Sequence, residues 1–103
     1  MYNKLVRDNI PEIISANGEN PIVEVLDNDR YKQELEKKLL EECNEVVLAT
    51  GSDRLEELAD LMEVMICLAN LENVTLGEVN KIREDKKAKR GGFSKKMFLK
   101  DVK

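Results

Sequence analysis

The chain contains no histidine and no tryptophan, two cysteines, and only two tyrosines and two phenylalanines among 103 residues. Without histidine there can be no Ser/His/Asp or Cys/His nucleophile system and no histidine-containing zinc site, and two cysteines cannot supply a four-thiolate zinc site. With so few aromatics, Leu, Ile, Val and Met must do the packing. No apolar run approaches the roughly 18 residues of a membrane span. The opening Met1-Tyr2-Asn3-Lys4 lacks the apolar stretch of a signal peptide. A cytoplasmic protein with no membrane partner is therefore expected. Cys43 and Cys67 fall among apolar residues on predicted helices and are expected as small buried hydrophobes, not as a disulfide.

What is abundant is charge, at 37% of residues against 42% hydrophobic. The length fits one domain, residues 1–103, with a single modest core. The net charge of −4 hides a strong asymmetry. Residues 1–80 hold 7 Lys/Arg against 18 Asp/Glu, a balance of −11, and residues 81–103 hold 10 against 3, a balance of +7. A basic tail is most simply a solvated one, but an acidic body with a basic tail also fits a metal site completed by a phosphate-binding segment. The acidic body opposes binding to a nucleic acid.

Pro11 at a first helical position opens a short helix, 11–17, stopped by Gly18. Residues 21–26, rich in β-branched side chains, read as extended, and Asp27-Asn28-Asp29 supplies the next N-cap. Two long helices follow, 29–49 and 53–71, separated by Thr50-Gly51-Ser52. From Leu58 to Leu71 the second is apolar on nearly every side, which demands burial all round. So short a chain offers too few partners for that, and self-association is the remedy. Thr75-x-x-Glu78 is a capping box for another helix, closed by Gly91-Gly92. Residues 93–99 read as a short strand able to pair with residues 22–26, with Phe93 as a core anchor. The fold expected is a mainly α helical bundle completed by oligomerisation, with a small β element.

Two acidic motifs stand out, Glu42-x-x-Glu45 on the first long helix and Glu57-x-x-Asp60 on the second. Three-residue spacing sets both carboxylates of a pair on one side of a helix, with Cβ atoms about 5–6 Å apart. Tyr31, Leu35, Leu39, Cys43, Val46 and Ala49 form one face of the first helix, and Glu42 projects from within it. Glu57 and Asp60 share a face with Val64, Leu68 and Leu71. An acidic helix pair is more often a solvated surface, but inward placement argues otherwise, because an unpaired buried carboxylate is costly. Oxygen ligands in this number suit a hard divalent cation such as Mg²⁺, with Mn²⁺ as the other candidate.

These residues resemble a known family. Glu41-Glu42-Cys43-Asn44-Glu45-Val46 followed by Glu56-Glu57-Leu58-Ala59-Asp60-Leu61 resembles the E-x-x-E, gap, E-x-x-D hallmark of the all-alpha nucleoside triphosphate pyrophosphatase superfamily, the MazG-like and phosphoribosyl-ATP pyrophosphohydrolase-like proteins. Residues 3–11, Asn3 to Pro11, resemble the opening of a small house-cleaning subgroup, and Lys89-Arg90-Gly91-Gly92-Phe93 resembles its close. The likeness spans nearly the whole chain. Asn9 stands where that subgroup has lysine, and the 11 residues between Glu45 and Glu57 make a short gap that fits a tight turn.

The resemblance implies a MazG-like bundle that hydrolyses nucleoside triphosphates to monophosphate and pyrophosphate, and a homodimer, or else a tetramer, would meet the need for self-association. Glu42, Glu45, Glu57 and Asp60 would hold the metal, and Glu45 would take the proton of the attacking water, with Glu42 or Glu41 as alternatives. An acidic cluster repels a triphosphate unless cations help, and Lys4, Arg7, Lys86, Lys89 and Arg90 are the candidates for phosphate contacts. Phosphoribosyl-ATP hydrolysis and a non-catalytic helical module that binds nucleotide or metal are the alternative readings.

Overall fold

A computed structural model of the protein describes residues 3–103. Met1 and Tyr2, the start of the polar N-terminus read above, lie outside the described residues. Four helices are present among them: α1 (Ile10–Ala16), α2 (Asn28–Leu48), α3 (Gly51–Leu71) and α4 (Leu76–Arg90).

Each helix begins and ends where local chemistry dictates. The Asp27 carboxylate accepts the Arg30 backbone N–H at 2.8 Å and starts α2. Thr75 does the same for α4, its hydroxyl accepting the Glu78 N–H at 3.2 Å. α4 stops at Gly91, whose N–H still donates to the Lys87 carbonyl at 2.8 Å and whose φ of +80° turns the following chain off the helix. Only Ala49 and Thr50 separate α2 from α3, so the two helices double back on one another as an αα-hairpin. The Arg54 guanidinium crosses that turn and donates to the Ala49 carbonyl at 2.9 Å, satisfying a group at the end of α2.

The hairpin contains the core: Leu35 of α2 and Val64 and Ala69 of α3 are buried. At the hairpin's open end, burial pushes the Tyr31 phenol pKa up, and a hydrogen bond to Cys67 of α3 acts in the same direction. α4 packs on α3 more thinly, with an apolar cleft between them lined by Met62, Met65, Leu76 and Val79.

Three expectations are corrected. No strand forms among the described residues: 21–26 is irregular, and 93–99 opens with a turn in which the Lys96 N–H donates to the Phe93 carbonyl at 3.1 Å and Lys96 has φ +61°, so the two stretches do not pair with each other. A strand requires a hydrogen-bonding neighbour, and these two have none, so Ile22 is 100% exposed and Phe93, expected as a core anchor, is 99% exposed. Cys43 is exposed and Cys67 half-buried; both are free thiols. The inward stripe of α2 runs through Leu35, Leu39, Glu42, Val46 and Ala49, and Cys43, about 100° round from Glu42, falls off it. The outer side of α3 stays open as well, with Leu55, Leu58, Met62 and Met65 exposed.

Among the described residues no helix is long and apolar enough to cross a membrane.

Candidate metal centre

The inward stripe of α2 places a carboxylate where the pattern calls for an apolar side chain. Glu42 is 7% exposed, the one charged residue in the buried set. Directly across the hairpin, the first turns of α3 present Glu57 and Asp60, three residues apart on one face. One oxygen from each of Glu42, Glu57 and Asp60 lies within 4.8 Å of the others.

Three carboxylates this close repel, and two cations partly offset them. Lys38, one turn before Glu42 on α2, brings its Nζ to 3.8 Å from both Glu41 Oε1 and Glu42 Oε1. From the other side the Arg7 guanidinium donates to Asp60 Oδ1 at 2.7 Å. Compensation is nonetheless incomplete. Glu42 Oε2 is buried with no hydrogen-bond partner among the described residues, an arrangement that ordinarily costs about 1–3 kcal/mol, and more for a charged group. The Glu57 carboxyl is held above the usual carboxylate range by desolvation first, then by the charges of Glu42, Asp60 and Glu45 and by a hydrogen bond to Glu42. A raised affinity for a proton is the response of a site that lacks positive charge.

The donor set therefore fits a hard divalent cation. All its atoms are carboxylate oxygens, they converge, and one is desolvated and unpartnered. Glu42, Glu57 and Asp60 are the residues able to hold such an ion.

The remaining sequence candidates are placed differently. Glu45 is exposed and outside the 4.8 Å group, though its charge reaches Glu57. It lines an open cleft of about 300 Å³ with Leu48, Ala49, Asp53, Glu56 and Glu57, at the turn end of the hairpin beside the cluster. Arg7 meets the acidic cluster itself, and Lys4 is exposed. Lys86, Lys89 and Arg90 all lie exposed near the end of α4. Lys38 was missed by sequence reasoning, although its offsets of three and four residues from Glu41 and Glu42 are those of helix neighbours. The Arg7 to Asp60 contact spans 53 residues and leaves no local signal.

No family model matches the chain, and no solved structure matches it. Over 50 residues the chain is 44% identical to an uncharacterized protein of Mycolicibacterium smegmatis, a match covering 48% of this chain and 51% of that protein. The chain spans about half the length of this relative.

Proposed function

We propose that the chain is a Mg²⁺-dependent nucleotide pyrophosphohydrolase that cleaves nucleoside triphosphates, ordinary or modified, to a monophosphate and pyrophosphate. The observation that carries this reading is Glu42, buried with its Oε2 unpartnered among the described residues, beside Glu57 and Asp60 on the facing helix. The motif resemblance over residues 3–11, 41–61 and 89–93 supports the substrate class.

Hydrolysis of a phosphoanhydride needs positioning and charge neutralisation more than covalent chemistry. Glu42, Glu57 and Asp60 hold the cation, which supplies Lewis-acid neutralisation of the phosphates and lowers the pKa of water. Glu45, at the mouth of the cleft, accepts the proton as water adds to phosphorus and the anhydride bond breaks, pyrophosphate leaving with the bond's electrons. Arg7, Lys4 and the basic end of α4, Lys86, Lys89 and Arg90, contribute positive charge toward the phosphates.

We assign the open face of α3 to a second copy of the chain. The accessible surface is 9490 Å², against roughly 5,900 Å² for a compact monomer of this mass. The radius of gyration is 17.9 Å, against about 13 Å for a compact domain of this length. The excess is roughly 3,500 Å² per chain, more than one partner's half of an obligate homodimer interface of about 2,000–5,000 Å² in total, so such an interface covers part of it and the exposed stretches 21–26 and 91–103 account for more. Leu55, Leu58, Met62 and Met65, spaced along one side of α3, give that interface an apolar stripe, and two hairpins joined along it make a four-helix core.

Pyrophosphate release from ordinary and modified nucleoside triphosphates and from phosphoribosyl-ATP, with Mg²⁺, Mn²⁺ or EDTA, tests the reading. Metal-dependent release that drops by roughly a hundredfold or more in Asp60→Asn is expected, since even outer partners of metal ligands are worth 10–100-fold. Saturable nucleotide binding without release from any substrate would make the chain a binding module instead.

A further inference from the structure

Every ion pair among the described residues joins partners at most six apart in sequence, with one exception. That exception is Arg7 to Asp60, at 2.7 Å across 53 residues. It ties the segment before α1 to α3, and it ends on a carboxylate of the acidic cluster. The backbone of that segment adds a turn contact, Ile10 N–H to the Arg7 carbonyl at 3.1 Å, which stays within the segment.

The two cations of the cluster are held in different ways. Lys38 is built into the hairpin: it rises from α2 itself, its side chain is only 22% exposed, and it lies against Glu42 and its neighbour Glu41. Arg7 comes from outside any helix, and both its side chain and that of Asp60 are exposed to water. An exposed ion pair of this kind is weak and easily exchanged. A divalent ion drawing on Asp60, Glu57 and Glu42 together would also sit within a few ångströms of the guanidinium and repel it.

We infer that Arg7 is the exchangeable counter-cation of the acidic cluster: it occupies Asp60 until a divalent cation binds, yields Asp60 to that cation, and is then free to pair with the phosphates of the anionic ligand. The inference rests on the metal reading proposed above. Its consequence is an order of binding, cation before anion, with the segment around residues 4–8 released by the first and recaptured by the second. Arg7 is thus a positioning residue for Asp60 before the cation arrives, and a ligand-binding residue afterwards.

The test uses the full chain, wild type against Arg7→Gln and Arg7→Lys. Mg²⁺ titration by calorimetry gives cation affinity, inorganic pyrophosphate titration at saturating Mg²⁺ gives anion affinity, and amide ¹⁵N relaxation reports the order of residues 4–8. The expected result is that Arg7→Gln moves the two affinities in opposite directions. Mg²⁺ binds about two- to fivefold more tightly, the worth of an exposed ion pair, while pyrophosphate binds more weakly. Arg7→Lys restores both toward wild type, and residues 4–8 of the wild type loosen on Mg²⁺ and tighten again on pyrophosphate. A merely structural strut would not produce opposite shifts. Equal or weaker Mg²⁺ binding in Arg7→Gln, or residues 4–8 unchanged on Mg²⁺ addition, would overturn the exchange and leave the metal reading standing. Absence of Mg²⁺ binding to any of the three proteins would overturn the metal reading and the exchange together.

Discussion

The α2–α3 hairpin and the two irregular stretches, 21–26 and 91–103, both carry apolar side chains, and these end in opposite environments. Leu35 and Val64 are buried across the hairpin, whereas Ile22 and Val25 stand in solvent, as do Phe93, Met97 and Phe98. Composition does not separate the two regions; connection does. A two-residue turn obliges α2 and α3 to face each other, and each then supplies the other's apolar neighbours. The irregular stretches have no such partner among the described residues. Charge follows the same rule: carboxylates 15 to 18 residues apart in sequence converge within 4.8 Å on the hairpin, while the lysines near the end of α4 stay exposed.

Leu35→Ala should break the comparison most strongly, because it removes the most buried side chain of the hairpin, 2% exposed. A loss of about 2–5 kcal/mol in denaturant unfolding is expected. A cost under about 0.5 kcal/mol would mean that the hairpin does not form the core.

The next effect is electrostatic. Glu57 has its pKa raised above 4.5 by desolvation and by its acidic neighbours, so the folded state holds this proton more tightly than the unfolded state. Its contribution is therefore fully present below the unfolded value and is lost as pH rises through the folded one. With EDTA present, thermal stability should fall as pH climbs through the weakly acidic range, and Glu57→Gln should flatten the curve. Stability rising over that range in wild type, with the slope removed by the same substitution, would reverse the sign of the account.

The smallest effect sharpens the contrast from the other side. Val25→Ser, at a fully exposed aliphatic in the irregular stretch 21–26, should change the stability of a single chain by less than about 0.5 kcal/mol. A cost of several times that figure, measured by denaturant unfolding, would show that the stretch 21–26 is packed after all.

Much of this was legible in the sequence, wherever the signal is local. An N-cap within residues 27–29, which Asp27 proves to supply, the cap at Thr75, the stop at Gly91 and the inward direction of Glu42, Glu57 and Asp60 follow from helical spacing and turn chemistry. Helix starts shift by one or two residues, α3 beginning at Gly51 instead of Asp53. What failed is what needs a partner at a distance. A strand over 93–99 depends on a neighbour that the sequence pattern does not specify. Cys43 was read as inward because 31, 35, 39 and 43 step by four, whereas a helix turns every 3.6 residues and hands that place to Glu42. Arg7 was identified as a cation for phosphate, but its pairing with Asp60 depends on how the segment before α1 lies against α3.

Thermal unfolding of wild type and Glu42→Gln, each with EDTA and with saturating Mg²⁺, tests the central claim most directly. The amide keeps the shape of Glu42, removes one charge from the cluster and can donate to Glu57 or Asp60. The account predicts that Mg²⁺ raises the melting temperature of wild type, that Glu42→Gln in EDTA melts no lower than wild type in EDTA, and that Mg²⁺ leaves the variant unchanged. A variant that melts lower in EDTA and is still stabilised by Mg²⁺ would contradict it, making Glu42 a structural residue and placing any cation elsewhere.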